Sequence, residues 1–150
     1  MADTDLIKLY SGRILELASD IPLTDRLDAP DATVKKRSPL CGSTVTVDVH
    51  IENGRIAAFG QDVKACALGQ ASAALLAKNV IGRSQAEIEA ARDDLKDMLS
   101  GSGEGPKSPF EGYEVLVPAR DFKNRHASIM LAFEATAEAM ATANAAKSCA

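Results

Sequence analysis

A nine-residue run of alternating polar and apolar side chains most constrains how this chain can fold. From Thr44 to Glu52 every second residue is valine or isoleucine, and the residues between them are polar or charged. Successive side chains of a β-strand point to opposite faces, so the run predicts a strand with one buried face. Asn53-Gly54 follows it and is the strongest short-range signal for a hairpin turn. The returning strand is predicted over 55–63, with Thr44 opposite Val63.

Helical periodicity flanks this hairpin on both sides. A capping box over Ser84–Glu87 predicts the start of one helix, because the serine and glutamate side chains can each satisfy a free backbone amide. Pro22 ends the first predicted helix, and a weak pattern over 32–37 suggests a third strand. The predicted helices are 4–19, the segment from Cys66 to Gly82, the segment that follows the capping box, and an alanine-rich final helix over 121–146.

Strands and helices are therefore segregated along the chain, which favours the α+β class. The expected fold is a small antiparallel sheet packed by helices, with a long C-terminal helix. With 150 residues and 46% apolar side chains, the chain can bury a sizeable core as a single domain over 1–150. Residues 100–109 hold three of the ten glycines and two of the six prolines, so we expect a flexible surface loop there.

Composition excludes several functional classes. The formal net charge of −4 argues against binding to a nucleic-acid backbone. No segment has the roughly 20 consecutive apolar residues that a membrane span needs. The acidic N-terminus lacks the basic start of a secretory signal, so a cytoplasmic location is expected. The odd count of three cysteines argues against a disulfide framework. They contain no C-x-x-C pair, so any metal or sulfur site must be assembled from distant segments.

Two of these cysteines flank the predicted hairpin. Cys41 lies just before its first strand, and Cys66 lies just after its second strand, at a predicted helix start. Pairing of the strands would bring both thiols to the same end of the hairpin, and the first-turn amides of the helix would favour a thiolate at Cys66. The alternative is that both are buried structural cysteines. His126 has a similar alternative, as a hydrogen-bonded core histidine, and Cys149 is expected to be incidental.

The segments around these residues resemble a known family. Ser38-Pro39-Leu40-Cys41-Gly42, Lys64-Ala65-Cys66-Ala67-Leu68 and Arg125-His126-Ala127-Ser128 are similar to the three metal-site segments of the U-type iron–sulfur cluster scaffolds, the NifU N-terminal-like family. The resemblance extends roughly from Leu6 to Met140. It implies a compact α+β domain with a metal site at one end of the sheet.

The resemblance also implies a set of ligands. The family pattern contains three cysteines and an aspartate, and Cys41 and Cys66 match two of the cysteines. Ser43 stands at the position of the aspartate, and Ala127 stands at the position of the third cysteine, directly after the histidine. Cys41, Cys66 and His126 are therefore the implied ligands, for a [2Fe–2S] cluster or for zinc.

The implied function is that of a scaffold or carrier in iron–sulfur cluster assembly, not that of a turnover enzyme. Such a protein receives sulfur from a cysteine desulfurase and passes the cluster to acceptor apoproteins. Ser43 and Ala127 motivate one alternative, a metal-free pseudo-scaffold that regulates a desulfurase. A second alternative is a zinc-dependent sulfurtransferase with Cys41 or Cys66 as nucleophile. The oligomeric state, and any ligand from a second chain, stay open.

Overall fold

Three strands form one antiparallel sheet in the structure, a computed structural model that describes residues 11–39 and 42–149. The strands are β1 (Ala32–Arg37), β2 (Thr44–Glu52) and β3 (Arg55–Lys64), and β2 is central. The strand suggested over 32–37 is confirmed, as is the α+β class.

The described residues also form four α-helices, and two corrections to their predicted bounds are needed. The final helix begins at His126, not at 121, because Phe122 has a non-helical backbone and the residues before it form 3₁₀ turns. The second helix ends at Asn79, because the chain then turns so that Gly82 N donates to Ile56 O. Residues 4–10 of the first predicted helix lie outside the described residues. The helices are α1 (Gly12–Ser19), α2 (Ala67–Asn79), α3 (Gln85–Ser100) and α4 (His126–Cys149), and the 3₁₀ segments are Glu111–Asp121 and Lys123–Arg125.

The turn between β2 and β3 follows the prediction, but the register does not. Asn53 and Gly54 both have positive φ, as a tight two-residue hairpin turn requires. A register shift between His50 and Ile51 then leaves Ala57 as an extra residue in β3. Thr44 therefore pairs with Lys64, and the prediction that it faces Val63 is wrong by one residue.

The apolar face of β2 forms the centre of the core. Its three valines are fully buried, and Ile51 is nearly so. Helix α4 lies against β1 and β2, and α2 and α3 pack against α4. Among the described helices, none is both long enough and apolar enough to cross a bilayer.

The polar face of β2 is also partly covered. The Asp48 carboxylate is fully buried and accepts hydrogen bonds from Arg26 Nε at 2.6 Å, Arg26 Nη2 at 3.0 Å, Thr33 Oγ1 at 2.6 Å and Leu27 N at 3.1 Å. Burial disfavours the charged carboxylate, but these hydrogen bonds outweigh it and lower the pKa of Asp48 below its ordinary value. Asp48 thus fastens the segment between α1 and β1 to the sheet.

We expect Asp48→Ala to lower the free energy of unfolding by about 1–3 kcal/mol at pH 7, because the hydrogen bonds that this buried carboxylate accepts from Arg26, Thr33 and Leu27 are lost. Because the pKa of Asp48 is lowered in the folded state, its charged carboxylate stabilises the fold fully at any pH above the unfolded-state pKa of about 3.9. This stabilisation is lost as the pH falls through the folded-state pKa, so the difference from the parent shrinks in acid. Urea denaturation across this pH range measures both effects. Asp93→Ala, at an exposed carboxylate, is the control, and equal losses in the two variants would contradict the expectation.

Candidate functional site

One end of the sheet carries the cysteine-containing segments. Between β1 and β2 the chain turns tightly, because Ser38 N donates to Ser43 O at 2.8 Å and Gly42 N donates to Ser38 O at 2.9 Å. At the same end, Thr44 pairs with Lys64, and two residues later Cys66 is the N-cap residue of α2. The prediction that Cys66 lies at a helix start is confirmed. Cys41 itself lies outside the described residues.

A serine from α4 joins these two segments. Ser128 Oγ donates a hydrogen bond to Ser43 Oγ at 3.0 Å, and Cys66 Sγ lies 3.4 Å from Ser128 Oγ. A hydroxyl has one proton, so when Ser128 donates to Ser43 the Cys66 thiol is the donor to Ser128. Both serines are buried, at 3% and 1% exposure, whereas Cys66 is partly exposed. We call Ser43, Cys66 and Ser128 the Cys66 corner.

Gly69 explains why α4 can approach α2 so closely here. A Cβ at residue 69 would lie 2.5 Å from Ser128 Oγ and 2.8 Å from the Ala65 Cβ. Neither distance is tolerated without a shift of α2 or α4, and any rotation of the Ser128 side chain would break its contacts. The missing side chain of Gly69 therefore makes room for the Cys66 corner.

The His126 side chain is not part of the Cys66 corner. Its Nε2 lies 2.9 Å from Ala119 O and 3.1 Å from Arg120 O, so this nitrogen carries the proton and donates to the end of the longer 3₁₀ segment. His126 and Ser128 are about 160° apart around the axis of α4. His126 and Ala127 instead line a cleft between α3 and α4, with Leu99 and Glu134.

Of the residues selected from the sequence, the corner contains Cys66 together with Ser43, which follows Cys41 by two positions. Ser128 was missed, although it ends the segment 125–128 that carries part of the family resemblance. The sequence around Ser128 gives only a weak indication of this role, because a single serine in an alanine-rich helix does not by itself indicate a functional residue. Only the tertiary contact with Cys66 distinguishes it.

The donors at the corner can be compared with what a metal requires. Zinc and iron–sulfur clusters bind thiolate, imidazole or carboxylate ligands. Among the described residues the corner offers one thiol and two hydroxyls, and nowhere in the described part of the chain do three His, Cys, Asp or Glu side chains group to hold a metal ion. The described residues alone do not make a complete metal site.

Comparison with known proteins decides the family. The solved structure of a nitrogen-fixing NifU-like protein (N-terminal) from Brucella abortus is 41% identical to this chain. The matched region covers 94% of this chain and 98% of that chain, with a TM-score of 0.91. This chain belongs to the NifU N-terminal-like family of U-type scaffolds. The family resemblance and the fold predicted from the sequence are thus confirmed.

Two relatives of this family member carry the name iron–sulfur cluster assembly scaffold protein IscU. The protein of Streptococcus pyogenes serotype M1 is 26% identical over 140 residues, which are 93% of this chain and 87% of that protein. The protein of Thermotoga maritima is 25% identical over 134 residues, which are 88% of this chain and 92% of that protein. No family model matches the sequence.

Gly69→Ala tests the close approach of α4 and α2. Although alanine is favoured over glycine within a helix, we expect this change to lower the free energy of unfolding by about 1–3 kcal/mol, because the new Cβ overlaps Ser128 and Ala65. Gly12→Ala in α1 is the matched control, since a Cβ there meets nothing within 4 Å. The control should be neutral or slightly stabilising in urea denaturation. If Gly69→Ala and Gly12→Ala were equally stable, the contact between α4 and α2 at Gly69 would not be tight.

Proposed function

We propose that this protein is a scaffold or carrier for iron–sulfur cluster assembly. It holds iron or a cluster as cargo and has no turnover chemistry of its own. Membership of the NifU N-terminal-like family and the scaffold names of its relatives support this proposal. The observation that carries it is the Cys66 corner, where a partly exposed thiol and the loop that follows Cys41 meet on Ser128.

Cys41 and Cys66 are the proposed principal ligands, because thiolates are the usual donors to iron–sulfur clusters and also bind zinc. His126 is the proposed third ligand, and it could bind only through Nδ1 while Nε2 donates to the carbonyls of Ala119 and Arg120. The fourth position is left to water, a carboxylate or a thiol of a partner. A [2Fe–2S] cluster is the proposed cargo, with zinc as the other candidate.

The proposed partners follow from this incomplete ligand set. A cysteine desulfurase would supply sulfur at the corner, and acceptor apoproteins would remove the assembled cluster. Three ligands hold a cluster loosely, which suits transfer better than storage. Partial exposure of Cys66 supports access by both kinds of partner.

Anaerobic reconstitution with iron and sulfide tests the ligands. We expect the parent protein to acquire cluster absorption and bound iron, and Cys66→Ala and Cys41→Ala each to lose most of both. Cys149→Ala is the matched control and should behave as the parent. If the Cys41 and Cys66 variants bind as much iron as the parent, the cargo site is elsewhere.

His126→Ala separates the histidine from the cysteines. Since the ring is hydrogen-bonded away from the Cys66 corner, we expect this variant to lose less iron than Cys66→Ala does. Metal analysis of both variants, reconstituted in parallel, makes the comparison. A loss as large as that of Cys66→Ala would show that the ring turns towards the cargo.

The two buried hydroxyls favour a second candidate function, a metal-free pseudo-scaffold that regulates a desulfurase. Capture of a cysteine desulfurase by protein shown to be free of metal would support it, and a tightly bound stoichiometric metal would exclude it. The zinc-dependent sulfurtransferase requires a persulfide on Cys41 or Cys66. Mass spectrometry after incubation with desulfurase and cysteine detects that intermediate, and unmodified thiols would exclude it.

A further inference from the structure

The distance between the Cys66 thiol and the Ser128 hydroxyl matches that between two ligands of one metal ion. Tetrahedral bonds of about 2.0–2.3 Å place two ligand atoms roughly 3.3–3.8 Å apart. Cys66 Sγ and Ser128 Oγ are 3.4 Å apart, which lies within this range. Ser128 Oγ therefore lies at a separation from Cys66 that a second ligand of the same ion would have.

The chemistry of Ser128 is wrong for that position. A serine hydroxyl stays protonated at neutral pH and is a weak donor to zinc or iron. Its oxygen is also engaged, because it donates to Ser43 and contacts the Cys66 thiol in a buried place. An ion bound to Cys66 would have to displace these hydrogen bonds and would gain little from the serine.

The neighbouring residue cannot take over this role. Ala127 is about 100° from Ser128 around the axis of α4 and lines the cleft against α3 together with His126. A thiol at 127 would point to that cleft. A thiol at 128 would take the place of an atom that already contacts Cys66.

We propose that Ser128 determines how tightly this protein holds its metal cargo, by placing a neutral hydroxyl beside Cys66 where a further strong ligand would strengthen the site. The protein therefore binds thiophilic divalent cations weakly and releases them readily. This inference rests on the proposed function, because it treats the Cys66 corner as the cargo site. Ser128 acts here on metal affinity and takes no part in covalent chemistry.

Cobalt titration tests the proposal, with Co²⁺ as the probe under anaerobic, thiol-free conditions. We expect Ser128→Cys to bind Co²⁺ about tenfold or more tightly than the parent, with added thiolate-to-cobalt charge-transfer absorption. Ala127→Cys is the control, because it has as many thiols as Ser128→Cys. Its affinity for Co²⁺ should equal that of the parent. Competition with Zn²⁺ then gives the affinities on a common scale. Ser43→Cys is a second variant in the same corner and should also bind more tightly.

Each outcome has a defined meaning. Equal affinities of Ser128→Cys and the parent, with both folded by circular dichroism, would overturn the inference while leaving the proposed function intact. If Ala127→Cys gained as much affinity for Co²⁺ as Ser128→Cys, the inference would be overturned as well. A further outcome is that Ser128→Cys binds Co²⁺ tightly while the parent acquires no cluster, even with a cysteine desulfurase present. That result would support the role of Ser128 in metal affinity and contradict the proposed function. Absence of binding in every variant would contradict both.

Discussion

Burial of the apolar face of β2 is the constraint on which the rest of the structure depends. Three valines and Ile51 on a single strand cannot remain in water, and α4 is the element that covers them. With α4 fixed across β1 and β2, its first turn lies at the sheet end where the β1–β2 loop and the start of α2 also lie. Gly69 leaves the room that this close approach of α4 to α2 needs. The Cys66 corner is thus a consequence of how the core is packed.

The predictions that succeeded depend on local signals. The alternation over β2, the Asn53-Gly54 turn and the capping box at Ser84 each involve residues a few positions apart, and Ser84 and Glu87 do cap α3 as expected. The predictions that failed concern strand register and helix ends. The extra residue in β3 depends on how β3 pairs with β2, and the end of α2 depends on a hydrogen bond from Gly82 N to Ile56 O in β3, so the periodicity of a single element encodes neither.

The site was predicted only in part, for a similar reason. Cys66 is found at the helix start because helix starts have local signals. The face of α4 that meets Cys66 has none, because this helix is buried on most of its circumference, so hydrophobic periodicity cannot select an inward side. A histidine attracts attention as a ligand, whereas Ser128 does not. Only the position of α4 relative to α2 shows that Ser128 contacts the thiol and that His126 is directed to backbone carbonyls.

A corner of hydroxyls also has a consequence for the protein without its cargo. Several thiolates and a carboxylate, gathered in a buried place, would repel one another and would lack water when no cation is present. Ser43 and Ser128 are neutral, and they satisfy each other and Cys66 by hydrogen bonds. The corner is therefore compatible with a folded, well-packed domain before cargo binds, because no bound ion is needed to offset buried charge. The same neutrality removes the ligands that would retain an ion, so stability without cargo and weak retention of cargo have one physical cause.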